Sequence, residues 1–180
     1  MKTLTLLRHA KSGWDDTVAR DIDRPLNAKG RRAAQAVGRR WRELGFAFDH
    51  AVASPAVRVQ ETIAAVEAGY GRPLAPEWDR RLYLAAPEAL LELVRDFPDD
   101  ADSALVVAHN PGLEELVLLL VPDTGSAPLR DDVEAKFPTA STAQLHFAAD
   151  NWAGVAEGGG RLILFVRPRD LDPAFGPDEP

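Results

Sequence analysis

The sequence contains no cysteine among its 180 residues. This absence excludes disulfides, thiolate catalysis and cysteine-based zinc sites, and it favours a cytoplasmic location. The N-terminus also lacks the long apolar segment and the small-residue cleavage site of a signal peptide. No unbroken run of about 18 apolar residues occurs either, so we expect no membrane partner.

Basic residues are in the minority. The chain has 21 Lys and Arg against 28 Asp and Glu, which gives a formal net charge of −7. This balance argues against sequence-independent binding of nucleic acid, because such binding depends on a basic surface that neutralises phosphates. A local cluster of cations in an acidic protein instead indicates a pocket for an anion.

Several cofactor motifs are missing from the sequence. It has no His-x-His or His-Glu-x-x-His pattern and no clustered Asp motif, so we expect no metal site. It has no Walker loop and no Gly-rich dinucleotide fingerprint, so we expect no cofactor.

The length and the apolar content predict one domain. Hydrophobic residues make up 46% of the chain, which is enough for a core without covalent crosslinks. A domain of this size buries roughly 70% of the surface of its unfolded chain. We predict a single domain over residues 1–170 and a surface tail over residues 171–180.

Short apolar runs alternate with amphipathic stretches along the chain, which is the pattern of an α/β sheet with helices on both faces. We therefore predict a three-layer sandwich, with a mostly parallel sheet and a C-terminal β-hairpin. The predicted strands are 4–7, 51–53 and 104–108, with the hairpin at 143–147 and 162–166. The predicted helices are 30–44, 55–67, 87–96 and 113–120. Residues 9–27 and 122–138 are predicted loops, the second with one helical turn.

Histidine and arginine side chains follow three of the predicted strands. Arg8 and His9 end the first strand, and His109 with Asn110 ends the strand at 104–108. Arg58 follows the strand at 51–53, near the start of a helix. Because open α/β sheets bind ligands at the carboxyl ends of their strands, we predict a phosphate site with a nucleophile at this edge.

His9 is the candidate nucleophile, because a neutral imidazole nitrogen attacks phosphorus and can leave again from a phosphohistidine. A backbone carbonyl on the other ring nitrogen would fix the tautomer. Arg8 and Arg58 would hold the equatorial oxygens of the transition state with their guanidinium forks. His109 would donate to a further oxygen. His109 or Arg58 alone has an ordinary structural interpretation, but their occurrence with Arg8 and His9 favours catalysis.

The segments RHAKS, SPAVRVQET and VAHNPG, in this order, resemble the histidine phosphatase superfamily, which has the phosphoglycerate-mutase-like fold. The segments RPLNAKGRRAA, RLYLA, KFPT and FVRPRDL are similar to those of the SixA-type phosphohistidine phosphatases. The resemblance implies a substrate-binding role for Lys11 and Ser12. Asn110 either binds substrate or caps the following helix. Ala10 departs from the common Arg-His-Gly triplet, a change that adds one methyl group.

The resemblance also raises the question of a general acid. Many members of the superfamily carry a Glu or Asp between the second Arg and the second His that protonates an alkoxide leaving group. Here Asp79 and Glu88 flank the RLYLAA segment outside any obvious acid motif. A phosphoramidate can be cleaved without such an acid, so we predict a phosphatase that acts on protein phosphohistidine.

Three alternatives remain open. A small-molecule phosphomonoesterase of the same fold would use Glu88, Asp79 or Asp16 as its acid. A catalytically silent module that binds a phosphorylated ligand or a protein would share the fold but would have no turnover. A phosphoglycerate mutase is disfavoured because the chain is short. The loops at 15–23 and 122–138 would either form a docking surface or cover the pocket.

Overall fold

A six-stranded sheet forms the centre of the protein. The computed structural model describes residues 1–13 and 20–176. Within them the sheet has the strand order β3-β2-β4-β1-β5-β6. All strands except β5 run in one direction, since β5 pairs antiparallel with both β1 and β6. The strands are β1 (Lys2–Arg8), β2 (His50–Ala53), β3 (Glu77–Trp78), β4 (Ser103–Ala108), β5 (Thr142–Phe147) and β6 (Gly160–Val166).

Helices cover both faces of this sheet and create two separate cores. The first core lies against α3, α4 and α5, and the second lies against α1 and α2. Along β1, Leu4 and Leu6 enter the first core and Leu7 enters the second, as the alternation of side chains along a strand requires. The helices are α1 (Ala28–Leu44), α2 (Val57–Tyr70), α3 (Pro87–Arg95), α4 (Gly112–Leu120), α5 (Pro128–Ala135) and α6 (Pro168–Leu171).

The ends of α1 have clear capping residues. The side chain of Asn27 accepts a hydrogen bond from the backbone N–H of Gly30 at 2.7 Å, which satisfies a donor of the first turn. Gly45 ends the helix with φ 69°, a left-handed conformation that favours glycine. The helix therefore begins two residues before the predicted start and ends at the predicted residue.

The strand register brings three chain segments together at one edge of the sheet. Arg8 lies opposite Ala108, and Ala53 lies opposite Val107. The residues that follow β1, β2 and β4 are therefore neighbours. On the other side of β1, the start of β5 and the end of β6 reach the same edge, because Thr142 pairs with both Leu7 and Val166.

This architecture confirms the predicted α/β fold, with its mostly parallel sheet and its C-terminal hairpin. The loop predicted at 122–138 is wrong, because α5 occupies eight residues of it and buries Val133. α2 continues to Tyr70, three residues beyond its predicted end. The two-residue strand β3 was not predicted from the sequence.

The predicted boundary at residue 170 falls inside α6, and a 3-10 helix follows at Pro173–Phe175. Leu171 and Phe175 pack against the core formed by α1 and α2. Residues 177–180 lie outside the described part of the chain. The division into a domain and a tail therefore stays a prediction.

Candidate active site

His9 lies directly after β1 and is 8% exposed. Its Nδ1 lies 2.7 Å from the carbonyl oxygen of Ala10. Because a carbonyl can only accept, Nδ1 carries the proton and donates it. Nε2 then has its lone pair available for attack on an electrophile. The backbone is held as well, since the N–H of Ala10 donates to Oγ1 of Thr62 at 2.8 Å.

The surroundings of His9 keep its imidazole neutral. Burial is the main cause, and the nearby charges of Arg8 and Arg58 act in the same direction. Together they lower the pKa of His9 to about 3, although the hydrogen bond to Ala10 opposes the shift. The imidazole of His9 is therefore unprotonated at neutral pH.

His109 lies beside His9, with 5.4 Å between the ring centroids. Its Nε2 lies 2.7 Å from Oγ of Ser54, and its Nδ1 lies 3.4 Å from Nη2 of Arg58. Burial and the charge of Arg58 lower the pKa of His109 to about 4. His109 is thus also neutral and brings no positive charge. It can offer the N–H of Nδ1 to a phosphate oxygen when the hydroxyl of Ser54 donates to Nε2 and Arg58 turns from Nδ1 to the phosphate.

Arg58 enters this cluster from the first turn of α2 and is 3% exposed. It donates to the carbonyl oxygen of Asp21 at 2.9 Å and to the carboxylate of Asp21 at 3.0 Å. The hydroxyl of Tyr83 donates to the same carboxylate at 2.5 Å. Hydrogen bonds from Tyr83, Arg24 and Arg58 lower the pKa of Asp21 to about 2. Asp21 is therefore an ionised anchor for Arg58.

Arg8 reaches from the end of β1 to the segment before β5. Its Nη1 donates to the carbonyl oxygen of Phe137 at 2.9 Å, and Nδ2 of Asn110 donates to the same oxygen at 2.9 Å. Its Nε is buried and has no acceptor within the part of the chain that the structure describes. Burial lowers the pKa of Arg8, and the nearby carboxylate of Glu114 opposes this shift.

The three predicted substrate-binding residues have different positions. Lys11 lines a cavity together with Arg8. Oγ of Ser12 accepts a hydrogen bond from Nη2 of Arg24 at 2.6 Å. Asn110 holds Phe137 and also accepts from the backbone N–H of Glu114 at 3.3 Å, so its side chain makes structural contacts at both ends.

The predicted acid candidates contribute little to this cluster. Asp79 caps a short 3-10 helix and pairs with Arg81 at 2.7 Å, and these hydrogen bonds lower the pKa of its carboxyl group. Glu88 is exposed on the first turn of α3. Asp16 lies outside the described residues, as does most of the predicted 15–23 loop. Burial raises the pKa of Glu114, a carboxyl group close enough to Arg8 to influence it.

Sequence reasoning missed Asp21, Ser54, Tyr83, Phe137 and Glu114. The pattern Ser-Pro-x-x-Arg carries a signal for Ser54, because it fixes the serine at the strand end next to the arginine. The others come from separate segments and have no local signature. Residues 1–13 and 20–176 contain no group of His, Asp or Glu arranged like metal ligands. Over the same ranges, none of the helices is both long and apolar enough to span a membrane.

Two neutral histidines, the buried Arg58 and the half-buried Arg8 at the carboxyl edge of a mostly parallel sheet define an α/β protein with a candidate site for an anion. The family model for the histidine phosphatase superfamily (branch 1) matches residues 4–83. An uncharacterized protein of Mycobacterium tuberculosis is 35% identical over 164 residues, which are 91% of this chain and 100% of the relative. The chain belongs to the histidine phosphatase superfamily.

Solved structures with similar folds include SixA proteins. A candidate phosphohistidine phosphatase SixA from Nakamurella multipartitia is 30% identical, with a TM-score of 0.79 over 93% of this chain and 96% of that one. Its counterpart from Agrobacterium tumefaciens is 26% identical, with a TM-score of 0.76 over 93% and 98% of the two chains. A protein histidine phosphatase SixA complexed with tungstate has a TM-score of 0.72 at 20% identity over 94% and 99%, and shares the fold.

Proposed function

We propose that the protein is a metal-independent phosphatase that works through a phosphohistidine at His9, and that its substrate is a phosphohistidine of another protein. The observation that carries this proposal is the state of His9. Its pKa is lowered to about 3 and its Nδ1 proton is held by Ala10, so Nε2 is an unprotonated nucleophile.

In the first step, Nε2 of His9 attacks phosphorus and the bond between phosphorus and the leaving group breaks. The equatorial oxygens lie among Arg8, Arg58 and His109, which donate hydrogen bonds to the charge that these oxygens carry. To bind phosphate, Arg58 must share its donors between the substrate and Asp21. In the second step water attacks phosphorus, the P–N bond to His9 breaks, and inorganic phosphate leaves.

The carboxyl groups support a substrate with a nitrogen leaving group. Asp21 is ionised at neutral pH, since its pKa is about 2, and Asp79 is engaged by Arg81. Neither is suited to donate a proton. The imidazole of a phosphohistidine leaves as a neutral group when its other ring nitrogen carries a proton, so it needs no side-chain acid, whereas an alkoxide needs one. The similarity to SixA proteins supports the same substrate class.

A small-molecule phosphomonoesterase is the second candidate, and Glu114 favours it. Burial raises the pKa of this carboxyl group, which lies within electrostatic reach of Arg8. A protonated Glu114 could serve as the acid that an alkyl phosphate requires.

A substrate panel with carboxylate variants distinguishes the two candidates. We expect turnover of a phosphohistidine protein, weak turnover of alkyl phosphates, and losses below about tenfold in Glu114→Gln, Glu88→Gln, Asp79→Asn and Asp16→Asn. A chelator should change none of these rates. Good turnover of an alkyl phosphate with a loss of about 10² or more in one variant would favour the phosphomonoesterase. No turnover of any phosphorylated substrate would favour a binding module.

A further inference from the structure

A cationic groove begins at Arg8 and leads away from the histidines. It is a cavity of about 470 Å³. None of the residues that line it within the described ranges is acidic, although the chain as a whole has a net charge of −7. We define the cationic groove by its six basic residues, Arg8, Lys11, Lys29, Lys136, Arg167 and Arg169.

The fold brings these cations together from distant parts of the chain. Lys136 precedes Phe137, whose carbonyl oxygen holds Arg8. Arg167 and Arg169 follow β6, whose last residue lies at the same sheet edge as the start of β5. Arg167 is fixed by Asp170 at 3.0 Å. Like charges gathered from separate elements repel one another, so their convergence indicates a ligand with several negative charges.

The groove shares a wall with the site of phosphoryl transfer. Arg8 lines the groove, and its charge acts on both His9 and His109. Its buried Nε lacks an acceptor in the part of the chain that the structure describes, which is unusual for a buried donor. A phosphate at His9 and a second anionic group in the groove would therefore both contact Arg8.

The volume of the groove limits its occupant. Small-molecule sites measure roughly 300–1,000 Å³, so the groove suits a compact ligand. Its walls also include apolar surface from Pro168 and Phe175. A phosphate chain offers the high density of negative charge that suits such a cationic surface, and it is small enough to lie within the cavity.

We propose that the enzyme also hydrolyses a terminal phosphoanhydride, with the phosphate of the chain that leaves bound in the cationic groove. This inference rests on the proposed chemistry at His9. Nε2 of His9 attacks the terminal phosphorus, the bridging P–O bond breaks, and its electron pair stays on the leaving phosphate. This oxyanion needs no side-chain acid, because a phosphate has a second pKa of about 6. Water then releases inorganic phosphate from His9.

Two substrates that share only the terminal phosphoryl group test the proposal. Inorganic tripolyphosphate carries a chain that can enter the groove, whereas phosphoramidate has none. Phosphate release is measured with EDTA present for wild type, Lys136→Glu, Arg169→Glu and the control Arg161→Glu. Arg161 is exposed near the opposite end of β6, so the control makes the same charge change away from the groove.

We expect wild type to hydrolyse tripolyphosphate, and kcat/KM to fall at least about tenfold in Lys136→Glu and Arg169→Glu, since a contact to a charged group contributes about 1.5–3 kcal/mol. The value for phosphoramidate should fall less than about threefold, and Arg161→Glu should change neither by more than this. Equal losses on both substrates, or an equal loss in Arg161→Glu, would overturn the proposal.

The outcomes also separate this inference from the proposed function. Turnover of phosphoramidate without turnover of tripolyphosphate would overturn the groove proposal alone. If a phosphohistidine protein were then impaired by Lys136→Glu, the groove would belong to an acidic protein segment instead. Failure to hydrolyse either substrate would overturn both proposals.

Discussion

The neutral imidazole of His9 depends on atoms that come from several segments. The carbonyl of Ala10 fixes the tautomer, and burial lowers the pKa. The sequence predicted the position of His9 at a strand end, and it predicted a carbonyl partner that the structure contains. It could not indicate how deeply the ring is buried, because that depends on packing between distant elements.

The role proposed for Arg58 depends on the planar, forked shape of its guanidinium group. Its two terminal nitrogens act together, one on the carbonyl and one on the carboxylate of Asp21. We predict that Arg58→Ala lowers kcat by about 10² or more, since it removes an electrostatic stabiliser. Arg58→Lys should not restore the rate, because an ammonium group cannot imitate the fork. Steady-state kinetics checks this, and a near-normal rate for Arg58→Ala would remove the residue from the site.

We propose that Ser54 positions the ring of His109. Its Oγ lies 2.7 Å from Nε2 of His109, and both side chains are buried. We predict that Ser54→Ala lowers kcat by about tenfold with little change in KM, because the unanchored ring can rotate away from the reacting oxygens. Ser126→Ala, an exposed position, is the matched control. A change in KM alone would indicate a role in substrate binding instead.

At the scale of elements, the close contact of α1 with α2 depends on glycine. A Cβ built on Gly38 lies 2.1 Å from the carbonyl oxygen of Val66, and one built on Gly69 lies 2.1 Å from the carbonyl oxygen of Gln35. The two helices therefore touch through their backbones. This contact fixes α2, and with it the position of Arg58 at the site.

We predict that Gly38→Ala lowers the free energy of unfolding by about 2 kcal/mol or more, because the backbones must separate. Gly45→Ala is the comparison, since nothing lies within 4 Å of its added Cβ and only its φ of 69° opposes the change. That variant should lose about 1 kcal/mol. Urea denaturation measures both, and equal losses would contradict the backbone contact.

The elements differ in how well the sequence predicts them. Long amphipathic or fully apolar segments such as α1 and β4 were predicted with bounds close to those observed. α5 was missed because it has eight residues and buries only Val133, so its apolar periodicity is too weak to identify. Contacts with α4 and β6 stabilise this helix in the fold, and these contacts have no local signature.

For the whole molecule, two buried neutral histidines make stability depend on pH. The pKa of His9 is about 3 and that of His109 is about 4 in the folded protein, against 6.5 for an ordinary histidine. Below pH 6.5 the unfolded chain therefore binds protons that the folded protein does not. These two histidines therefore destabilise the folded protein as the pH falls from 6.5 towards 4, and they have no such effect above this range.

Between pH 7 and pH 5 each of these histidines should lower the free energy of unfolding by about 2 kcal/mol. We predict that His9→Gln loses about 2 kcal/mol less than wild type over this interval. Urea denaturation at the two pH values checks the difference. An identical pH dependence in both proteins would contradict a buried neutral His9.

The central claim concerns the whole reaction, in which His9 carries the phosphoryl group between substrate and water. Its most direct test is a brief mixing of the enzyme with a labelled phosphohistidine protein, followed by an alkaline quench and mapping of the label. We predict acid-labile, alkali-stable phosphate on the wild-type peptide that contains His9, and none on a folded His9→Ala variant. Undiminished label on His9→Ala would contradict the account, because the nucleophile would then be another residue.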